Sequence, residues 1–239
     1  MATRAPRGFG QYSGVARALE RVGERWALLI VRDLLGGARR YSDLKASLPR
    51  IPTNILSDRL RELGEAGVIR RVPSVRGGYE LTELGRGLEP VVASLERWGW
   101  ALLGEPGDGE TISADSVAVA LRAAFRPDAA ASLPPTEYVL HVAGADEPGV
   151  SVSAIVVGPS LDVVPVGDGA LPQPRRRSAL EPVPQAVLEL ELAPGELRGL
   201  LAGEASVPSF AGDRDLLARF TTTFAMESAP TPGLGAAAA

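Results

Sequence analysis

A short segment of the chain combines an apolar helical stripe with side chains that can bond to DNA bases. Leu56, Leu60 and Leu63 recur at intervals of four and three residues, which places them on one face of an α-helix. Asn54 and Arg61 fall on the opposite face. Asn and Arg form bidentate hydrogen bonds with adenine and guanine edges in the major groove. The spacing therefore predicts a helix that buries one face and presents the other to DNA.

Basic and hydroxyl side chains lie before this helix and on a hairpin that follows it. Such groups contact phosphates, which positions a protein on DNA without specifying sequence. The alternative for each charge is a solvated protein surface. The predicted DNA-binding residues are Arg39, Arg40, Tyr41, Ser42, Thr53, Asn54, Ser57, Arg61 and Arg76, and Arg70 and Arg71 are further candidates for phosphate contacts.

Two charged residues of the same helix allow two interpretations each. Asp58 is unfavourable beside phosphate, so it either pairs with Arg61 or accepts from a cytosine amino group. Arg59 lies next to the apolar stripe and could equally be a partner in an internal ion pair.

Residues for metal or catalytic chemistry are scarce. The chain has no cysteine and one histidine, His141, which excludes thiolate metal sites, disulfides and a cysteine nucleophile. His141 alternates within a strand-like run and is expected to be structural. No phosphate-binding loop is present, because the glycines near residues 104–109 lack the flanking strand and helix. We therefore expect no metal, no cofactor and no enzymatic activity.

Charge divides the chain of 239 residues into two halves. Residues 1–104 carry 17 basic and 11 acidic side chains, a net charge of +6, whereas residues 105–239 carry 8 and 18, a net charge of −10. A basic half is typical of a polyanion binder, although ordinary variation between domains is the alternative. No apolar run approaches the roughly 20 residues of a membrane span, and no secretion signal is visible, so a cytoplasmic protein is expected.

The basic half predicts helices followed by a hairpin. A helix begins after Ser13, an apolar helix from Trp26 is expected to be buried all round, and a short helix spans residues 41–48. Thr53 is the predicted N-cap of the base-reading helix. Residues 68–72 and 79–81 form the hairpin, and a last helix from Thr82 should be kinked at Pro90. This order is that of a winged helix-turn-helix.

The acidic half combines helices with strand-like runs. Residues 187–192 alternate strictly, which predicts that Leu188, Leu190 and Leu192 point into a core. A helix spans residues 113–125, strand-like runs occupy 138–143, 150–157, 161–166 and 187–192, and helices begin at Pro194 and after Gly212. The predicted fold class is α+β: a winged helix-turn-helix domain, then a domain with a mostly antiparallel sheet and packed helices. The predicted limits are a flexible N-terminus at 1–11, the first domain at 12–104, a linker at 105–112, the second domain at 113–227 and a disordered tail at 228–239.

The first domain resembles the HxlR-type winged-helix transcriptional regulators of bacteria, relatives of the MarR group. The resemblance is carried by residues 15–19, 22–34, 39–44, 55–63, 65–69, 79–86 and 95–98, in that order. It implies a homodimer that binds a pseudo-palindromic operator and dimerises through its terminal helices, here residues 15–22 and 82–103. Leu95, Trp98, Leu102 and Leu103 suit such a contact, and packing within one chain is the alternative.

One position departs from that family. Members often have a cysteine just before the first helix, and some use it to sense oxidants or aldehydes. Ser13 stands there in this chain, and no cysteine occurs anywhere. Sensing through a thiol is therefore excluded.

The order of elements in the second half resembles the sterol-carrier-like domain. That resemblance implies an apolar cavity between sheet and helices, with a small hydrophobic ligand; a solid core is the alternative. The candidate ligand-binding residues are Leu197, Leu200, Leu201, Leu217, Phe220 and Phe224.

The sequence as a whole predicts a dimeric DNA-binding regulator whose operator binding is modulated by a small hydrophobic ligand in the second domain. The rival hypothesis is a carrier of lipids or hydrophobic metabolites whose first domain serves mainly for dimerisation. The predicted partners are double-stranded DNA, a second copy of the chain and a hydrophobic ligand, with no membrane.

Overall fold

The computed structural model describes residues 8–73, 77–104, 106–107, 110–143, 149–166, 184–204 and 209–226. The chain divides into two compact units, Met1–Val92 and Ala93–Ala239. The predicted tail at 228–239 lies outside the described residues, as do parts of the predicted N-terminal segment and linker. The domain limits given above stay predictions.

The first unit consists of helices followed by an antiparallel hairpin. Its elements are α1 (Gly14–Val22), α2 (Ala27–Leu35), β1 (Arg39–Arg40), α3 (Tyr41–Ser47), α4 (Thr53–Glu65), β2 (Ile69–Val72), β3 (Gly78–Leu81), α5 (Glu83–Arg86) and the start of α6 (Glu89–Trp100). The three strands form an antiparallel sheet in the order β1-β3-β2. The two-residue strand β1 was not predicted, because a pair of arginines carries no strand periodicity.

The predicted apolar stripe of α4 is confirmed, since Leu56, Leu60 and Leu63 are all buried. Helix α2 also contributes to the core, with Ile30 and Leu34 buried. The expectation that α2 is buried all round is wrong, because Leu29 remains 39% exposed.

Two predicted helices need correction. Pro52, not Thr53, is the N-cap residue of α4, and no side chain caps this helix. Thr82 does cap a helix, accepting from the backbone N–H of Gly85 at 3.1 Å, but α5 ends at Arg86. Pro90 therefore does not kink one long helix; it lies in the first turn of the separate helix α6, where its missing N–H costs no hydrogen bond.

The junction between α4 and the hairpin depends on two glycines. Gly67 has φ +74°, the left-handed conformation that commonly ends a helix. Gly85 is buried, and a Cβ on it would lie against the carbonyl oxygen of Val68. Thr82 closes the same junction by donating to the carbonyls of Gly67 at 2.6 Å and Val68 at 3.1 Å.

The second unit packs helices against a five-stranded sheet. Its elements are α7 (Ala114–Ala124), α8 (Pro127–Ala130), β4 (Thr136–Val142), β5 (Val150–Val157), β6 (Ser160–Val166), β7 (Ala186–Leu192), α9 (Pro194–Ala202), β8 (Ser209–Ala211) and α10 (Arg214–Thr223). The strand order is β6-β5-β4-β7-β8. Strands β4 and β7 are parallel, and the other three pairs are antiparallel.

The alternating pattern of β7 is confirmed: Leu188, Leu190 and Leu192 are buried in the core of the second unit. The predicted helix at 113–125 is confirmed as α7, and eight of its eleven residues are buried, including Asp115. His141 is half-buried in β4, and its Nδ1 lies 2.8 Å from the hydroxyl of Ser151.

Within the described ranges, no helix is long and apolar enough to cross a membrane. Over the same residues, no three His, Cys, Asp or Glu side chains come together as a metal-binding group.

The close approach at Gly85 generates a prediction. Gly85→Ala should lower the free energy of unfolding by about 1–3 kcal/mol, because the added methyl group has to displace the backbone at Val68. Thermal unfolding followed by circular dichroism measures this. Gly64→Ala is the control, since a Cβ at this exposed α4 position meets nothing within 4 Å and should instead stabilise by up to about 1 kcal/mol. Equal stability of the two variants would refute the close-packing interpretation.

Candidate nucleic-acid interface

Helix α4 presents a polar face opposite its buried stripe. Thr53, Asn54, Ser57 and Arg61 are exposed there, as their helical spacing predicts. Thr53 and Asn54 lie in the first turn, the part of a recognition helix that contacts base edges in helix-turn-helix proteins. The structure thus brings four of the predicted residues onto one accessible face.

Arg61 is surrounded by carboxylates of its own helix. Its guanidinium lies 3.0 Å from Glu65, 3.8 Å from Asp58 and 3.8 Å from Glu62. The hydrogen bond to Glu65 raises the pKa of Arg61 further above its ordinary value, so the side chain stays charged at any physiological pH. A base contact by Arg61 would have to exchange Glu65 for a DNA acceptor.

The hydroxyl of Tyr41 connects α3 to the start of α4. It donates to the carbonyl oxygen of Thr53 at 2.9 Å, and Ser57 donates to the same carbonyl at 3.1 Å. The Ser57 hydroxyl also approaches the Tyr41 oxygen at 3.4 Å. The Tyr41 bond joins the start of α3 to the first turn of α4, and the Ser57 bond lies within α4. Both residues stay predicted DNA contacts.

Lys45 holds the turn between α3 and α4. Its ammonium group donates to the carbonyl oxygens of Pro49 at 3.0 Å and Ile51 at 2.7 Å. This role was missed from sequence, because a single lysine before a proline-containing turn has no recognisable pattern. It is the only lysine in the chain, so its chemical difference from the surrounding arginines was the available signal.

A buried carboxylate connects α2 to α3. Asp33 is completely buried, and it accepts from the hydroxyl of Ser47 at 2.5 Å. Arg32 pairs with its other oxygen at 2.8 Å. Buried carboxylates require such partners, so this contact fixes the packing of α3 on α2.

The predicted phosphate contacts around the start of α3 differ in how exposed they are. Arg39 is only 6% exposed, and its backbone pairs with Tyr79 in the sheet. Arg40 is exposed, and its backbone N–H donates to Asp43 at 3.0 Å. Ser42 is exposed in the first turn of α3. Burial leaves the Arg39 side chain poorly placed to contact a phosphate, unlike Arg40 and Ser42.

The hairpin carries two exposed arginines on β2. Arg70 pairs with Glu80 at 2.6 Å, and Arg71 lies over the ring of Tyr79 at 5.3 Å from its centroid. Arg76, predicted at the hairpin tip, lies outside the described residues.

The structure shows ion pairs at both charged residues of α4 whose roles the sequence left open. Asp58 lies within ion-pair distance of Arg61. Arg59 pairs with Glu62 at 2.7 Å and Glu24 at 3.3 Å, so the internal ion pair is the observed arrangement.

The candidate ligand-binding residues of the second unit lie in its core. Five of the six are buried and Leu217 is half-buried; the buried ones are Leu197, Leu200, Leu201, Phe220 and Phe224. The rings of Phe220 and Phe224 have centroids 4.8 Å apart, and Tyr138 packs against both at 5.2 and 5.7 Å. These side chains contact one another, as in a filled core.

Comparison with known proteins identifies the first half of the chain. The profile of the HxlR-like helix-turn-helix family matches residues 21–105. The transcriptional regulator YvaP of Bacillus subtilis is 38% identical over 86 residues, which are 34% of this chain and 80% of that protein. The chain therefore belongs to the HxlR-like helix-turn-helix family of transcriptional regulators, as the sequence motifs predict.

Other relatives match the same part. A helix-turn-helix transcriptional regulator of Mycobacterium tuberculosis is 47% identical over 96 residues, 38% of this chain. The match spans only 60% of that protein's length. The crystal structure of the regulator YtcD is 40% identical and covers 36% of this chain and 93% of YtcD, with a TM-score of 0.34. The sterol-carrier-like resemblance of the second half stays a prediction.

The contact between α2 and α3 generates a prediction. Ser47→Ala should lower the free energy of unfolding by about 1–3 kcal/mol, because it removes a hydrogen bond from the buried Asp33 carboxylate. Ser42→Ala is the matched control on the same helix, since Ser42 is exposed and its contact to Asp43 is long, at 3.3 Å. Urea unfolding of both variants provides the measurement. A Ser47→Ala variant as stable as Ser42→Ala would refute the role given to Asp33.

Proposed function

We propose that this protein is a homodimeric transcriptional regulator that binds a pseudo-palindromic operator. Each protomer would place α4 in the major groove, with the hairpin of β2 and β3 along the adjacent backbone. In such dimers the two half-sites lie about one helical turn of DNA apart. Membership of the HxlR-like family supports the class, and the following contacts support the mode of binding.

The polar face of α4 is the observation that carries the proposal. Asn54 and Arg61 are exposed on a helix whose opposite face is anchored by three buried leucines. Both side-chain types can read base edges, and both lie on a rigid element. Tyr41 and Lys45 fix the orientation of that helix through backbone carbonyls, so the polar face is presented before DNA arrives.

Phosphate contacts would come from the groups around that helix. Arg40 and Ser42 are exposed near α3, and Arg70 and Arg71 are exposed on β2. The first backbone N–H groups of α4 have no partner within the helix, and they can donate to a phosphate. Arg39 is left out of the proposed interface because it is buried, and Arg76 stays a sequence prediction.

Exposed apolar side chains support dimerisation. Helix α1 exposes Val15 and Leu19, and α6 exposes Val91, Leu95 and Trp98 along one stripe at intervals of four and three residues. Leu102 and Leu103, which follow α6, are also at least half exposed. Apolar stripes of this length on helix surfaces are typical of interfaces. We infer that a second copy of the chain covers them.

Modulation by a hydrophobic ligand remains a hypothesis from the sequence. Such a ligand would have to separate rings that pack against one another, among them Phe220 and Phe224. No contact in the described part of the second unit favours the rival carrier hypothesis, so we do not propose that function.

The DNA-binding proposal predicts the effect of two substitutions. Asn54→Ala and Arg61→Ala should each weaken binding to the preferred DNA fragment by about tenfold or more, because each removes a candidate base contact. Preference over competitor DNA should fall as well. Fluorescence anisotropy with fragments flanking the protein's own gene, repeated across a range of salt concentrations, measures both quantities.

Arg17→Ala is the matched control for that experiment. Arg17 is exposed to a similar extent as Arg61, with 62% against 57% of its side chain accessible, and it also pairs with a carboxylate of its own helix, Glu20. It lies on α1 and is not among the residues proposed to contact bases. If Arg61→Ala bound like Arg17→Ala, with sequence preference intact, the assigned role of α4 would be wrong.

The dimer proposal predicts the effect of a charge on α6. Leu95→Glu should shift the protein from dimer to monomer at micromolar concentration, because the carboxylate would be buried in the interface without a partner. Val187→Glu is the control, because Val187 is equally exposed, at 46%, but lies on a strand of the second unit. Sedimentation velocity distinguishes the species. A monomeric wild-type protein, or a Leu95→Glu dimer as stable as Val187→Glu, would contradict the proposal.

A further inference from the structure

Lys45 carries the only side-chain amine of the chain, since every other Lys or Arg position is an arginine. Amines are acylated at nitrogen, whereas a guanidinium stays protonated at physiological pH and does not react in this way. An activated acyl group therefore finds one side-chain amine in the whole sequence. What its reaction does to the protein depends on the contacts of this one nitrogen.

The Lys45 nitrogen closes the turn between α3 and α4, residues 48–52. It donates to the carbonyl oxygens of Pro49 at 3.0 Å and Ile51 at 2.7 Å. Ile51 is buried, and its own N–H donates to the carbonyl oxygen of Leu48 at 3.0 Å. The chain enters α4 directly after this turn, so the bonds of Lys45 constrain the start of that helix.

Acylation removes most of the bonding capacity of this nitrogen. An ammonium group has three N–H donors and a positive charge, whereas the acylated nitrogen has one N–H and no charge. One N–H cannot replace two separate donors, so a carbonyl of Pro49 or Ile51 loses its partner. A carbonyl shielded from water without a donor is unfavourable, and opening of the turn hydrates it. Acylation of Lys45 therefore favours an open turn.

The turn lies where a reagent in solution can reach it. Pro49 and Arg50 are exposed, and Lys45 itself is half-buried. The bonded ammonium does not react, because attack on a carbonyl carbon requires a free electron pair on nitrogen. The nitrogen must first leave both carbonyls and lose a proton. Surface segments open locally at a lower free energy than the whole fold, so the reaction occurs from the open turn and traps it.

We propose that Lys45 is a site of regulatory acetylation that opens the turn before α4. The neutral amine attacks the carbonyl carbon of an activated acetyl group, carried by acetyl phosphate or by the thioester acetyl coenzyme A. A C–N bond forms, and the C–O bond to phosphate or the C–S bond to the thiol breaks. The leaving group takes the electron pair of that bond, and the nitrogen releases one proton to water. The acetylation site is independent of the DNA-binding proposal, and only its effect on DNA binding rests on that proposal.

Incubation of the full chain with acetyl phosphate, and separately with acetyl coenzyme A, tests the site and distinguishes the two donors. Intact-mass spectrometry counts the acetyl groups, and fragment spectra separate Lys45 from the N-terminal amine. Lys45 should react about tenfold more slowly, or slower still, than free Nα-acetyllysine amide, because local opening precedes the reaction. Urea below the unfolding transition should accelerate it relative to the free amide. No modification of Lys45 by either donor, or a rate indifferent to urea, would overturn the proposal.

Two tyrosine variants test the opening step. Tyr41→Phe should accelerate acetylation of Lys45 several-fold, because it removes the 2.9 Å bond that holds the carbonyl of Thr53 at the other end of the turn. Tyr12→Phe is the matched control, since it makes the same change at a fully exposed tyrosine and should leave the rate unchanged. Lys45→Arg should gain no acetyl group beyond the N-terminal one. Equal rates in the two tyrosine variants would contradict the opening step.

Hydrogen exchange separates the effect on the turn from the effect on DNA binding. The N–H groups of Ile51 and Leu56, which donate to Leu48 and Pro52, should exchange about tenfold faster or more after acetylation of Lys45. Amides of α7 in the second unit are the reference and should not change. Unchanged exchange at Ile51 and Leu56 in the acetylated protein would refute the proposal.

Fluorescence anisotropy with the preferred DNA fragment gives the second measurement on the same acetylated protein. Affinity should fall by about tenfold, because the open turn no longer fixes the orientation of α4. Faster exchange without weaker DNA binding would keep the acetylation site and count against the proposed role of α4 on DNA. The two measurements thus distinguish failure of the site from failure of the DNA-binding proposal.

Discussion

The orientation of α4 depends on the turn that precedes it, and Lys45 holds this turn closed. One ammonium group donates to the carbonyls of Pro49 and Ile51, two residues apart along the chain. A compact ammonium with three rotatable donors can bond to both, whereas the planar fork of arginine is suited to parallel acceptors. Since Tyr41 fixes the first turn of α4 independently, both ends of the turn are braced, and the polar face of α4 is fixed by backbone contacts.

The charges on α4 affect the overall affinity for DNA and the specificity for a DNA sequence in different ways. Arg61 lies among Asp58, Glu62 and Glu65, so the exposed face of this helix carries more negative than positive charge. Such a face gains little from attraction to phosphates. A base contact by Arg61 must also compensate for the lost hydrogen bond between Arg61 and Glu65. Sequence-independent attraction would then come from exposed arginines elsewhere, such as Arg40 and Arg71. A helix with these charges binds DNA that lacks the recognised base more weakly than a uniformly basic helix does.

Local periodicity explains what the sequence predicted well. The stripe of Leu56 on α4 and the alternation around Leu190 on β7 each depend on neighbours within one element, and both are confirmed. Features that need distant partners were missed. Burial of Arg39 depends on its pairing with β3, far along the chain. The ion pair between Arg59 and Glu24 joins side chains 35 positions apart in the sequence. Pro90 was misplaced because one periodic pattern continues across two helices.

The two halves of the chain differ in what they can contribute at a DNA surface. Residues 105–239 carry a net charge of −10, so phosphates repel them, and contacts to DNA should be confined to the basic first half. The second unit has instead a closed aromatic cluster around Tyr138, whose pKa is raised by burial.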